Sequence, residues 1–309
     1  MNPFVRRSHL QISVLNQEEV LSSWKHKADA IVLDITDGAG LAARQQAREL
    51  VRGSIAPASK GGGEVLVRIS KEALFADVKA ALWPGVKGII CPSLETAADV
   101  RELDEALLEA EKEHGIPRGS TEVLVLLDSG KGIWNVREII AASSRLSTVG
   151  LEESSLYRHM EIMPDASFDP LVYAKGRIIV EAVAAKVHPI GVAHPYGIMP
   201  GFDNPQEIHR LALRGKNMGF KGAICLHPSW VEPCNRAYAP AADQIDYFKT
   251  VRATFAEAVA RGTAATPYPG TTQMIDVPVD ERARIMLELW EMVQSREADK
   301  ASALSKAAE

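Results

Sequence analysis

The 309-residue chain predicts a (β/α)8 barrel, an α/β fold, with a C-terminal helical extension. Three features lead there. Eight short, apolar, β-branched runs alternate with amphipathic or alanine-rich stretches, the pattern of a parallel sheet wrapped in helices. Two of these runs stop at a carboxylate with glycine close behind, in Asp34-Ile35-Thr36-Asp37-Gly38 and in Asp128-Ser129-Gly130-Lys131-Gly132. Polar groups gathered at the C-terminal ends of parallel strands form the active-site rim of such barrels. No G-x-G-x-x-G follows the first strand, which removes the main reason to prefer a Rossmann sheet. An open doubly wound sheet is the alternative topology.

Strands are predicted at residues 9–14, 30–34, 64–69, 87–91, 122–128, 146–150, 187–192 and 222–226. Helical segments fall between them, at 39–52, 97–114, 136–144, 169–185 and 205–218, with a flexible turn at 60–63 before the third strand. After Pro240 the pattern changes. A long helix at 243–261, a Thr/Pro/Gly-rich loop at 262–270 and a second helix at 280–296 contribute no strand to a barrel. Two domains follow: a barrel at 1–240 and a helical lid or oligomerisation extension at 241–309, with frayed helix expected from residue 297.

Composition narrows the function. Hydrophobic residues at 46% and charged residues at 24% are ordinary for a globular protein with a large core. A net charge of −5 with no basic stripe argues against nucleic acid or an anionic membrane as partner. The three cysteines have no CxxC spacing, so neither a disulfide framework nor a structural zinc site is implied. No signal-peptide core or membrane-spanning run is expected, and a cytoplasmic protein fits best.

Several strand ends carry candidate chemistry. Asp128 and Glu153 end the fifth and sixth strands, neighbours in a barrel of sequential order. Converging carboxylates repel unless a cation or shared proton neutralises them, and Mg²⁺ suits them because it takes oxygen ligands and keeps positions for water or substrate. The plainer alternative is one solvent-facing acid and one helix-capping acid. Arg68 ends an apolar strand, where a guanidinium needs either a substrate anion or a structural partner such as Asp34 or Asp37. Glu95 and His227 end two more runs. The His-Pro pairs at His188, His194 and His227 raise a zinc triad, but hydrogen-bonded rim histidines explain them more simply. Asp276, in the tail, is either a site acid or a plain acid at a helix start.

These segments together resemble the citrate lyase β-subunit-like branch of the HpcH/HpaI aldolase superfamily, which includes malyl-CoA and citramalyl-CoA lyases. The resemblance runs from Arg6-Arg7-Ser8 to Met274-Ile275-Asp276. It passes through Asp34-Ile35-Thr36-Asp37, Val67-Arg68-Ile69-Ser70, Cys91-Pro92-Ser93-Leu94-Glu95, Asp128-Ser129-Gly130-Lys131-Gly132, Gly150-Leu151-Glu152-Glu153 and His227-Pro228 with Glu232, Asn235 and Pro240. It implies Mg²⁺ (or Mn²⁺) held by Asp128 and Glu153, with Arg68 as the substrate-binding and catalytic arginine. Asp276 would be a lid acid/base supplied by an adjacent subunit of a trimer or hexamer. Asp34, Asp37, Glu95 and His227 would line the substrate site.

The implied reaction is carbon–carbon cleavage or condensation of a β-hydroxyacyl thioester such as malyl-CoA, citramalyl-CoA or a citryl thioester, with a keto acid as the other partner. An aldolase of free 2-keto acids and a catalytically degenerate scaffolding paralogue are the alternatives. Four departures bear on the choice. Asp128 stands where the family has Glu, and Glu153 where it has Asp. Thr36 replaces an acid and Ser93 a lysine, so an ion pair near the rim is altered.

Overall fold

The computed structural model describes residues 5–37, 40–163, 168–192 and 204–308. Eight strands run β1 (Ser8–Ser13), β2 (Ala30–Asp34), β3 (Glu64–Arg68), β4 (Val86–Pro92), β5 (Glu122–Leu127), β6 (Leu146–Leu151), β7 (His188–Val192) and β8 (Gly222–Cys225). All are parallel, each pairs with the next, and β8 closes on β1. Closure decides between the two topologies weighed from the sequence: this is a barrel. The helices are α1 (Gln17–Ser22), α2 (Leu41–Ser59), α3 (Leu74–Ala81), α4 (Ala97–His114), α5 (Gly130–Trp134), α6 (Val136–Ala141), α7 (Glu153–His159), α8 (Val172–Ala184), α9 (Pro205–Met218) and α10 (Val231–Tyr238).

Local chemistry sets these boundaries. A reciprocal capping box between Thr96 and Asp99 starts α4, and Gly115 in the left-handed region ends it. Asn204 caps α9 ahead of Pro205, and Gly219 stops it at φ +119°. Gly222 opens β8 where a methyl group would sit 2.2 Å from the Arg6 carbonyl oxygen, so no larger residue fits that crossing.

Two separate apolar clusters fix which side of each strand faces where. Ala30, Val32, Leu66, Ile90, Leu124, Leu126, Ile190 and Ile224 fill the barrel interior. Their neighbours in sequence, such as Ile31, Leu33, Val65, Val67, Val123 and Val125, pack outward against the helices. The two-residue period of a strand makes this alternation strict. At the N-terminal end of the barrel, the Arg6 guanidinium bridges Glu64 at 2.5 Å and Glu122 at 2.8 Å.

The chain divides into two compact units. One runs to Tyr238 and takes back the chain from Lys300; the other is Ala239–Asp299. The second unit contains α11 (Ala242–Ala260), an antiparallel pair β9 (Ala265–Pro267) and β10 (Met274–Asp276), and most of α12 (Val277–Ala308). Its core is Phe248, Val251, Phe255, Ile275 and Ala283. Two expectations need correction. Part of the predicted loop at 262–270 is β9, and the frayed end predicted from 297 is ordered helix. Strong helix formers favour the helix, and Lys300, 1% exposed, is bound at the barrel base. No helix among the described residues is long and apolar enough to cross a membrane.

Candidate active site

The inward-facing alternation carries on past the apolar layers to the C-terminal mouth. Ala30 and Val32 lead to Asp34, Leu66 leads to Arg68, and Leu124 and Leu126 lead to Asp128. On β6 the same parity selects Gly150 and then Glu152. Parallel ladder bonds continue one residue beyond the strands here, with the Glu152 N–H donating to the Leu127 carbonyl at 2.9 Å. Asp128 and Glu152 therefore occupy adjoining positions at the ends of β5 and β6.

Arg68 lies across this mouth. Its Nη1 donates to Glu152 Oε2 at 2.6 Å, although β3 and β6 are separated by two strands. Its Nε is 3.6 Å from Asp34 Oδ2, too long for a hydrogen bond, and has no hydrogen-bond partner among the described residues. Asp34 is held by neutral donors: Thr36 N–H and Oγ1–H each reach Oδ1 at 2.7 Å, and Gln11 reaches Oδ2 at 2.7 Å. Asp128 accepts the Ser93 hydroxyl at 2.5 Å, and Ser93 holds a left-handed backbone, φ 62°, to deliver it. That conformation costs a non-glycine residue about 1 kcal/mol or more and is found at functional sites. The two departures at Thr36 and Ser93 thus have one structural consequence: each replaces a charged group with a hydroxyl bonded to an inward carboxylate.

Glu153, the other expected ligand, makes different contacts. It begins α7 on the outward parity, with its side chain 3% exposed, and its Oε2 lies 3.2 Å from Lys175 Nζ. Lys175 also binds Asp169 at 2.9 Å. Burial pushes the Glu153 carboxyl up to about 7, with Lys175 opposing the rise. Its ion pair with Lys175 thus engages Glu153 on the outward side, while Glu152 takes the inward position beside Asp128. The signal for this was in the sequence. Lys175 falls among Ala174, Ile178, Ile179 and Ala182 on the buried face of α8, and a buried lysine requires an acid.

The other expected site residues divide. Asp37 is exposed and, with Asp34, Thr36, Gln11 and Asn16, lines a cavity of about 790 Å³ beside the mouth. Glu95 is committed to the neighbouring βα loop, accepting from Ser129 Oγ at 2.7 Å and pairing with Lys131 at 3.1 Å. His227 caps the short helical turn after β8, its Nδ1 accepting the Ser229 N–H at 3.2 Å. His188 opens β7 at the opposite end of the barrel, and His194 lies outside the described residues, so no zinc triad forms from His188 and His227. Asp276 ends β10 in the second unit, and its Oδ1 accepts the Val279 N–H at the head of α12.

The mouth suits a hard divalent cation. Among the described residues, Asp34 and Glu152 flank the Arg68 guanidinium, and Asp128, bonded to the Ser93 hydroxyl, adds a third inward carboxylate. Among the described residues no three or more His, Cys, Asp or Glu side chains form a ready cage. Mg²⁺ does not need one, since one or two carboxylates with water or substrate oxygens complete its shell.

Comparison with known proteins places this geometry in a family. The HpcH/HpaI aldolase/citrate lyase family model matches residues 10–228. The citrate lyase β subunit of Leuconostoc mesenteroides subsp. cremoris is 30% identical over 93% of this chain and 94% of its own length. The L-malyl-CoA/β-methylmalyl-CoA lyase of Rhodobacter capsulatus is 26% identical over 86% and 89%. Among solved structures, a citrate lyase of Burkholderia xenovorans superposes with a TM-score of 0.73 at 19% identity, covering 96% of this chain and 95% of that one. CitE of Mycobacterium tuberculosis, in complex with magnesium, acetoacetate and coenzyme A, superposes with a TM-score of 0.68 at 21% identity, covering 93% and 98%. These two structural likenesses bear on the fold. With its barrel, its mouth and the match over most of its length, the chain belongs to the HpcH/HpaI aldolase/citrate lyase family, a family of carbon–carbon lyases.

Proposed function

We propose that this protein is a divalent-cation-dependent lyase that cleaves or forms a carbon–carbon bond in a β-hydroxyacyl thioester, of the malyl-, citramalyl- or citryl-thioester type. The observation that carries the proposal is Arg68 at a barrel mouth whose adjoining carboxylates, Asp128 and Glu152, face inward beside it. Asp128 and Glu152 would hold Mg²⁺ or Mn²⁺. When bound, such a cation supplies Lewis-acid polarisation of a hydroxyl or keto oxygen on the acid half of the substrate.

The remaining roles belong to the chain. Arg68 binds the anionic substrate and stabilises the thioester enolate that receives the electron pair of the broken bond. Ser93 orients Asp128 through its 2.5 Å bond, and Thr36 and Gln11 keep Asp34 in place beside the guanidinium. Proton transfer at the enolate carbon is assigned to Asp276 of a neighbouring subunit, in a trimer or hexamer, on the strength of the family resemblance alone. Thr36 and Ser93 favour an active protein over a scaffold, because each stabilises the position of a mouth acid.

The test is a panel of malyl-, citramalyl- and citryl-thioesters, on CoA and on acyl-carrier protein, assayed for keto acid release with Mg²⁺ or Mn²⁺. Release from at least one thioester, abolished by chelator, is expected. Aldol exchange with free pyruvate or oxaloacetate, and none with thioesters, would make the protein a free-acid aldolase. No turnover in the whole panel would reject the lyase.

A further inference from the structure

We propose that the Arg68–Glu152 ion pair is an exchange latch, through which an anionic substrate and the divalent cation each favour binding of the other. The inference rests on the cation reading above and adds to it a ligand-free state in which one prospective cation ligand is engaged elsewhere.

Four observations support it. Glu152 Oε2 is bound to Arg68 at 2.6 Å, and among the described residues that guanidinium is the sole partner of the Glu152 carboxylate. Asp34 receives three bonds from neutral donors, so it keeps its place whether or not Arg68 moves. Glu152 adjoins Asp128, which already accepts a hydroxyl and has no cationic partner among the described residues. Arg68 Nε, 3.6 Å from Asp34 Oδ2, makes no hydrogen bond among the described residues, so Glu152 supplies the one hydrogen-bonded anion that an incoming anion would replace.

The exchange follows from these bonds. A carboxylate or thioester oxygen arriving at Arg68 supplies the charge that Glu152 now supplies, and Glu152 is released toward Asp128. A cation arriving beside Asp128 draws Glu152 away and leaves the guanidinium for the anion. Neither event strands a partly buried charge, provided both ligands bind. By linkage, each ligand must raise the affinity of the other by the same factor.

The experiment needs no substrate. Mn²⁺ is titrated by calorimetry into the full-length protein, Arg68→Met, Glu152→Gln and the double variant, at matched pH and ionic strength. Removing a positive charge tightens cation binding in either background simply by relieving Coulomb repulsion. The latch adds a factor seen only when Glu152 is present. The expected result is tightening of about tenfold on Arg68→Met in the native background, and about threefold or less in Glu152→Gln. Equal factors in the two backgrounds would overturn the latch and leave the cation site standing, as would weaker binding in Arg68→Met. No Mn²⁺ binding to the native protein would reject the cation reading itself, and the latch with it. Arg68→Gln replaces Arg68→Met if the latter does not fold by circular dichroism.

Discussion

Glu152→Gln should weaken Mg²⁺ or Mn²⁺ binding by at least about tenfold, some 1.4 kcal/mol, while Glu153→Gln leaves it within about twofold. The two residues are adjacent in sequence, yet the structure puts them on opposite sides of the β6 wall. Glu152 faces the mouth against Arg68, and Glu153 is buried against Lys175. Keto acid release should follow the same order, with a loss of about a hundredfold or more for Glu152→Gln and for Asp128→Ala. Calorimetric cation titration with a parallel turnover assay reads both. A Glu153→Gln variant that loses the cation while Glu152→Gln retains it would reverse the assignment.

Glu153→Gln should act instead on stability and its pH dependence. The folded carboxyl titrates at about 7, above its ordinary value near 4.3. A raised acid pKa means the folded state binds the proton more tightly, so this residue favours folding below about pH 4 and loses that contribution as pH rises through 7. Urea midpoints of the native protein should therefore fall between pH 5 and 8 relative to those of Glu153→Gln. Parallel curves would contradict the burial seen for this carboxyl.

Lys300→Met should cost about 2–4 kcal/mol of stability with little effect on the mouth. Lys300 Nζ donates to Asp29 Oδ1 at 2.8 Å and to the Lys27 carbonyl at 3.0 Å, with both charged side chains almost fully buried. Asp29 also takes Arg7 Nε at 2.8 Å and Arg7 Nη2 at 2.9 Å, which limits the loss because the acid keeps one cation. Burial would raise the Asp29 carboxyl, but the bonds and charges of Arg7 and Lys300 outweigh it and hold it at about 2. A lowered acid pKa contributes stability that is whole above about pH 4 and lost as pH falls through 2. Lys300→Met should reduce that acid-side slope as well as the plateau, as read from urea unfolding at pH 7, 4 and 2.5. A change below about 0.5 kcal/mol at pH 7 would mean that the end of α12 contributes nothing to the barrel.

Much of the fold was legible because the signals were local. Each predicted strand overlaps an observed one, and the helices at 97–114 and 205–218 match α4 and α9 in full, both being closed by explicit caps. The tail was harder. β9 and β10 are three residues each and are held by pairing with one another, which leaves no periodic pattern to detect. α12 outlasts its predicted end because residue 300 finds Asp29, 271 positions earlier in the chain.

At the mouth, the sequence marks Arg68 as a guanidinium that an apolar strand cannot leave unpaired and offers Asp34 as one partner, which the structure places 3.6 Å from its Nε. Glu152 was missed. The family resemblance rests on its neighbour Glu153, and only the inward parity of Gly150 points to Glu152. The roles of Thr36 and Ser93 were not legible either, since a hydroxyl in a sequence does not reveal which acid it will meet.

The residue order by itself determined the eight β-then-α units and the polar strand ends, because two-residue and helical periods are properties of consecutive side chains, while the family showed only as a resemblance in the motif segments. Only the closed barrel decided which acids share the mouth. Whether a carboxylate faces a guanidinium across the interior or an ammonium behind the wall depends on one step of strand parity and on partners more than twenty residues away. Burial then leaves a charged group little choice but to bind whatever counter-charge the fold brings within reach.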